Sequence, residues 1–177
     1  MSLDYKINMN LKSTKILIVE DDPMLITLLR DVLRVMGFGE IVVAMDGKAG
    51  LEEVHRHHFD LIFCDWRMKA MSGLEFTQAL RTSTDYTKCY TPVIMLTGNA
   101  RQEDVEIARD AGVTEYMVKP FSVKCLCDKI RSIIEHPRPF VMGEEYKGPD
   151  RRRKNDLEKK PEGKERRGGD LTYVEIE

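Results

Sequence analysis

Asp65 closes an apolar run, Leu61-Ile62-Phe63-Cys64, and is followed by Trp66-Arg67-Met68-Lys69-Ala70-Met71-Ser72-Gly73. A short apolar run reads as a buried strand, and a carboxylate at its carboxyl end sits where open α/β sheets place their chemistry. A second run, Lys15-Ile16-Leu17-Ile18-Val19, ends in three acids, Glu20-Asp21-Asp22. A third, Pro92-Val93-Ile94-Met95-Leu96, ends at Thr97-Gly98, and a fourth, Glu115-Tyr116-Met117-Val118, ends at Lys119-Pro120. Placed side by side and parallel, these runs bring acids, a hydroxyl and an amine to one sheet edge. Such a set suits the transfer of a phosphoryl group to a carboxylate. The reaction needs an accessible Asp, oxygen ligands for a divalent cation and a fixed positive charge. Taken singly, each residue has a plainer role. An acid after a strand caps a helix, Lys119 is a solvated charge, Thr97 a turn residue and Tyr116 a sheet aromatic.

The elements that must hold these residues are legible between about 15 and 135. Asp22-Pro23 opens a helix in which Met24, Leu25, Leu28, Leu29, Val32, Leu33 and Met36 recur at helical spacing, and Gly37 ends it. Residues 40–44 form a short strand, Asp46-Gly47 turns, and a helix runs through Leu51 and Val54. After Asp65 a loop reaches Ser72-Gly73, and a helix carries Leu74, Phe76, Ala79 and Leu80. A fourth helix spans Arg101 to Asp110. Ser122 opens a fifth through Val123, Leu126, Ile130, Ile133 and Ile134. Five strands alternating with five helices predict a parallel sheet covered on both faces, an α/β fold in three layers.

The chain has 177 residues, 42% apolar and 33% charged, with a net charge of −2. That is enough for one domain and an appendage, with no bulk charge to recruit a polyanion. Cys64, Cys89, Cys125 and Cys127 form no CxxC pair and read as reduced thiols. His55, His57 and His58 read as a solvated helix end rather than a metal cluster. No segment has the apolar length of a membrane span or a secretory leader, so a cytoplasmic protein is expected. Residues 1–14 read as an N-terminal extension and 15–136 as the domain. Residues 137–177 read as a flexible charged tail, with Phe140-Val141-Met142 as its one candidate for docking. The run Arg151-Arg152-Arg153-Lys154 offers itself to an acidic surface, on a partner or around Glu103, Asp104 and Glu106.

The motifs Ile-Val-Glu-Asp-Asp-Pro, Cys-Asp-Trp-Arg-Met, Leu-Thr-Gly and Val-Lys-Pro-Phe arrive in one order across residues 15–135. In that order and spacing the chain resembles the receiver domain of bacterial two-component response regulators, in its stand-alone, chemotaxis-regulator form. The resemblance implies a flavodoxin-like (β/α)5 sheet of order 2-1-3-4-5 and a single-domain phosphoacceptor rather than an enzyme. It makes Asp65 the acceptor, with Lys119 and Thr97 contacting the phosphoryl oxygens. Mg²⁺ would be held by Asp21, Asp65 and the main-chain carbonyl of Arg67, and by Glu20 through water, leaving Asp22 to the helix. Thr97 and Tyr116 would form the switch, and Pro120 would follow a cis peptide. The implied donor is a sensor histidine kinase or a histidine phosphotransfer protein. The implied output face joins the fourth helix, fifth strand and fifth helix. Lys69 stands where many family members have proline. Arg67 and Asn99 flank the path of the hydrolytic water in the family and so bear on the phosphoryl lifetime.

Other functions on this topology fit less well. A phosphorelay intermediate uses the same site and passes the phosphate on. A DNA-binding regulator needs a helical output domain, and the residues after 136 lack its apolar periodicity. A dehalogenase-type aspartyl phosphatase wants an Asp at the position of Arg67. A flavodoxin wants a Ser/Thr/Gly-rich phosphate loop where this chain has three acids.

Overall fold

The structure is a computed structural model that describes residues 11–99, 101–143 and 146–150 and the backbone of 172–174. Five strands, β1 (Lys15–Val19), β2 (Glu40–Ala44), β3 (Leu61–Asp65), β4 (Val93–Thr97) and β5 (Glu115–Val118), form one parallel sheet of order β2-β1-β3-β4-β5. All five residues of β3 and of β4 are buried, as strands covered on both faces must be. Alternate residues supply the two faces. Ile16, Ile18, Phe63, Ile94 and Leu96 pack with Leu29, Leu33, Leu126 and Ile130 of α1 (Pro23–Met36) and α6 (Val123–Glu135). Leu17, Val19, Ile62 and Cys64 pack with Val54, Phe76 and Leu80 of α2 (Gly47–Arg56) and α3 (Gly73–Arg81). The flavodoxin-like, three-layer fold expected from the sequence is the fold observed.

Local chemistry sets the helix ends. The Asp22 carboxylate accepts from the Met24 and Leu25 amides, Pro23 fills the first turn, and Gly37 closes α1 at φ +100°. Between α3 and β4 lies a four-residue helix, α4 (Tyr86–Cys89), capped by Asp85, which the helical periodicity did not predict. The fourth expected helix is therefore α5 (Gln102–Asp110), and the fifth is α6. Among the helices of eight or more residues, α5 is the least anchored. It buries Ala108 alone, leaves Val105 and Ile107 exposed, and starts at Arg101 without a side-chain cap.

The folded unit reaches past both expected boundaries. Leu11, in a 3-10 turn at Leu11–Ser13, packs on the α1 side of the core, and the Gly39 amide donates to its carbonyl. At the other end, β6 (Phe140–Met142) pairs antiparallel with β7 (Lys147–Pro149) and with β8 (Thr172–Val174). Phe140 is 1% exposed, Val141 is buried, and the Asp150 amide donates to the Pro139 carbonyl. The strand segments of the expected tail are therefore structured. Short strands need a partner surface rather than periodicity of their own, and here Arg81 provides it. Its guanidinium is buried, donates to the carbonyls of Cys89, Thr91 and Gly112, and lies under the Phe140 ring at 5.4 Å. Burial lowers its pKa to about 10, so it remains a cation at neutral pH, held by carbonyl dipoles and a ring face. Residues 151–171 and 175–177, including the basic run, lie outside the described residues.

Candidate functional site

Parallel strands in register bring their carboxyl ends to one edge. Val19 pairs with Cys64, Asp65 with Leu96 and Thr97 with Val118, so the residues that follow or end these strands share a shallow cleft. Glu20 and Asp65 are buried and Asp21 is the most open of the three acids. One carboxylate oxygen from each lies within 4.8 Å of the others, the one such cluster among the described residues. Lys119 Nζ sits 2.7 Å from Asp65 Oδ1 and 2.8 Å from Glu20 Oε2. The Lys119–Pro120 peptide is cis, and the Lys119 amide donates to the Thr97 carbonyl at 2.6 Å.

The electrostatics follow from this crowding. Burial raises the Glu20 carboxyl above its ordinary pKa, and neighbouring Asp65 adds to it, against the pull of Lys119. Burial acts to lower the Lys119 ammonium, but its contacts with Asp65 and Glu20 outweigh that and raise it. Three carboxylates and one ammonium leave a formal charge of −2. An all-oxygen donor set with that excess fits a hard divalent cation such as Mg²⁺. The Asp22 carboxylate turns to its own helix, separating it from the other two acids.

The loop after β3 is tightly built. The Arg67 amide donates to Asp65 Oδ2 at 3.1 Å and the Gly73 amide to the Trp66 carbonyl. Any Cβ on Gly73 would overlap the Asp65 carbonyl, so only glycine lets α3 start here. Ala70 lies in the left-handed region at φ +67°, a conformation that suits glycine better.

Thr97 is buried at the end of β4, where its hydroxyl accepts from the Asn99 amide at 3.1 Å. The Tyr116 hydroxyl donates to the Asn99 carbonyl, so both expected switch residues hold the same loop. Tyr116 also meets Trp66 edge to face, with ring centroids 6.2 Å apart. This contact, which runs from the residue after Asp65 to β5, was not foreseen, because it joins residues 50 positions apart in sequence. The histidines stay away from the cleft: His57 lies 3.9 Å from Glu53, and His58 Nδ1 lies 3.2 Å from Thr87 Oγ1. All four cysteines are free, and burial raises the thiols of Cys64, Cys89 and Cys127. No helix among the described residues is long and apolar enough to cross a membrane.

Comparison with known proteins places this geometry. Residues 16–131 match the model of the response regulator receiver domain. The chemotaxis protein CheY of Pseudomonas aeruginosa is 36% identical over 121 residues, which is 68% of this chain and 96% of that protein. Chemotaxis protein CheY4 of Vibrio cholerae superposes with a TM-score of 0.63 at 29% identity, covering 68% of this chain and 98% of that one. The receiver domain of a sensor histidine kinase from Pseudomonas aeruginosa PAO1, solved with magnesium coordinated in its active-site cleft, gives 0.62 at 30% identity. It covers 69% of this chain and 98% of its own.

Proposed function

This chain belongs to the response regulator receiver domain family, a family of signalling domains, and from that membership we propose that Asp65 is its phosphoacceptor. The carrying observation is the placement of Lys119 Nζ 2.7 Å from Asp65 inside a cluster of three carboxylates. One Asp65 oxygen attacks the phosphorus of a phosphohistidine on a sensor kinase or a histidine phosphotransfer protein. The P–N bond breaks, the imidazole leaves with its electron pair and takes up a proton, and Asp65 becomes a mixed anhydride. Asp21, Asp65 and the Arg67 carbonyl would hold Mg²⁺ directly, and Glu20 would hold it through water. When bound, that ion offsets the excess negative charge that otherwise repels an incoming phosphoryl group. Lys119 then pairs with a phosphoryl oxygen in place of Asp65 Oδ1, and the Thr97 hydroxyl donates to another.

The signal leaves through the face of α5, β5 and α6. Thr97 and Tyr116 both bond to Asn99, so drawing the Thr97 hydroxyl toward the phosphoryl group releases one hold on the loop that enters α5. The weak anchoring of α5 makes it the element that such a change can shift. We place the reaction in the cytoplasm, where charged kinases and Mg²⁺ are available and free thiols stay reduced. Beryllofluoride, which mimics a phosphoryl group on Asp, tests the switch. With Mg²⁺ it should change Trp66 fluorescence and shift the NMR resonances of α5 and β5. In Thr97→Ala it should still bind, but with smaller shifts. Equal shifts in Thr97→Ala and the native protein would refute the coupling.

A further inference from the structure

The strap formed by β6 and β7 lies outside the family match, which ends at residue 131. It packs beside the amino-terminal ends of β4 and β5, at the opposite edge of the sheet from Asp65. Beside Arg81, it meets the turn that ends α5. The Tyr146 hydroxyl lies 3.4 Å from the Arg109 carbonyl and 2.8 Å from that of Pro149. Gly112, at φ +87°, has no room for a side chain, since a Cβ would come within 2.9 Å of both the Lys147 carbonyl oxygen and Arg81 Cγ. A Cβ on Gly148 would stand 2.8 Å from the Gly112 Cα and overlap the Tyr146 ring. The two backbones are therefore in direct contact, with no flexible side chain between them to absorb a displacement. Arg81 pins the same turn from beneath, at 2.9 Å from the Gly112 carbonyl, and carries Phe140 on its other side.

We propose that the strap is a second readout of the receiver, an intramolecular partner of the α5–β5 turn that changes state with Asp65. The proposal rests on the reading that phosphoryl transfer shifts α5 and β5. The uncapped end of α5 follows the loop that Thr97 and Tyr116 hold at Asn99, and its other end meets the strap, so a shift of the helix bears directly on that contact. Everything after Asp150, starting with Arg151-Arg152-Arg153-Lys154, continues from the strap. The charged C-terminal sequence is thereby joined through the chain to the switch.

Amide hydrogen exchange on the full chain, with Mg²⁺ and with or without beryllofluoride, tests this. The expected result is a change of about fivefold or more in exchange at Val141, Met142 and Lys147–Gly148, together with a change at α5 and β5. Asp65→Asn should show neither. A response at α5 and β5 with an unchanged strap overturns the second readout and leaves the proposed function standing. No response anywhere overturns both. A strap response that persists in Asp65→Asn also overturns the proposal, because the change would then owe nothing to the site.

Discussion

Replacing Phe140 by Ala measures how much the C-terminal strap contributes to the fold. Phe140 is 1% exposed, its ring meets Tyr90 edge to face at 4.6 Å, and its face covers Arg81 at 5.4 Å. Truncating a buried Phe costs about 3–5 kcal/mol, the larger values belonging to sites that cannot collapse. The strap lies at the rim of the domain and can settle, which places the expected loss near 3 kcal/mol. The aromatic contact with Tyr90 contributes about 0.5–1.5 kcal/mol of this, and the uncovered cation adds a comparable share. For a domain of this size the loss lowers the melting temperature by about 6–12 °C. Urea unfolding should show a lower midpoint at an unchanged slope, which assigns the change to stability rather than to the denatured state. A double-mutant cycle with Tyr90→Leu should return a coupling of about 1 kcal/mol. A loss within about 0.5 kcal/mol is what a solvated side chain gives, and that result would refute the strap as part of the core.

Four further outcomes follow from single residues. Ala70→Gly should stabilise the protein by about 0.5 kcal/mol in urea unfolding. The relief of ~1–2 kcal/mol at φ +67° outweighs the ~0.5–1 kcal/mol entropy cost of glycine, so a net loss contradicts the strain. Asp22→Ala should cost about 1 kcal/mol through the lost cap of α1 while leaving phosphorylation intact, whereas Asp21→Ala should weaken Mg²⁺ binding and with it the labelling of Asp65. Glu20→Gln should stabilise the metal-free protein at neutral pH. A carboxyl whose folded pKa is raised favours folding below its unfolded pKa and loses that contribution as pH rises through the folded value. The gain from the amide therefore fades as pH falls through the ordinary carboxylate range, and a destabilised variant at pH 7 in EDTA would contradict the assignment.

Legibility in the sequence followed the range of the interactions. The parallel sheet could be read because each strand is a short apolar run with its own helix beside it, and both signals are local. The cleft could be read because polar residues end β3 and β4 and directly follow β1 and β5, at the same carboxyl edge. The order of the strands came from the resemblance rather than from periodicity. The acid that caps α1 and the two that face the cleft are adjacent, so residue type could not separate them; the Met24 and Leu25 amides, which donate to the Asp22 carboxylate, do so in the structure. The four-residue α4 is shorter than a helical period can reveal. Phe140-Val141-Met142 could be singled out as a docking candidate but its partner could not, because Phe140 finds its environment 59 residues upstream, at Arg81, and an isolated apolar triplet carries no sign of that. The Trp66–Tyr116 contact was hidden for the same reason.

Signalling by this chain turns, in the proposed function, on one acceptor and its dependence on a divalent cation. Intact-protein mass spectrometry after incubation with acetyl phosphate tests this directly, on the native chain and Asp65→Asn, each with Mg²⁺ or with EDTA. The expected result is a single added phosphoryl group on the native chain with Mg²⁺, located by peptide mapping to Asp65, and none in the other three reactions. Equal labelling of Asp65→Asn, or labelling indifferent to EDTA, would contradict it.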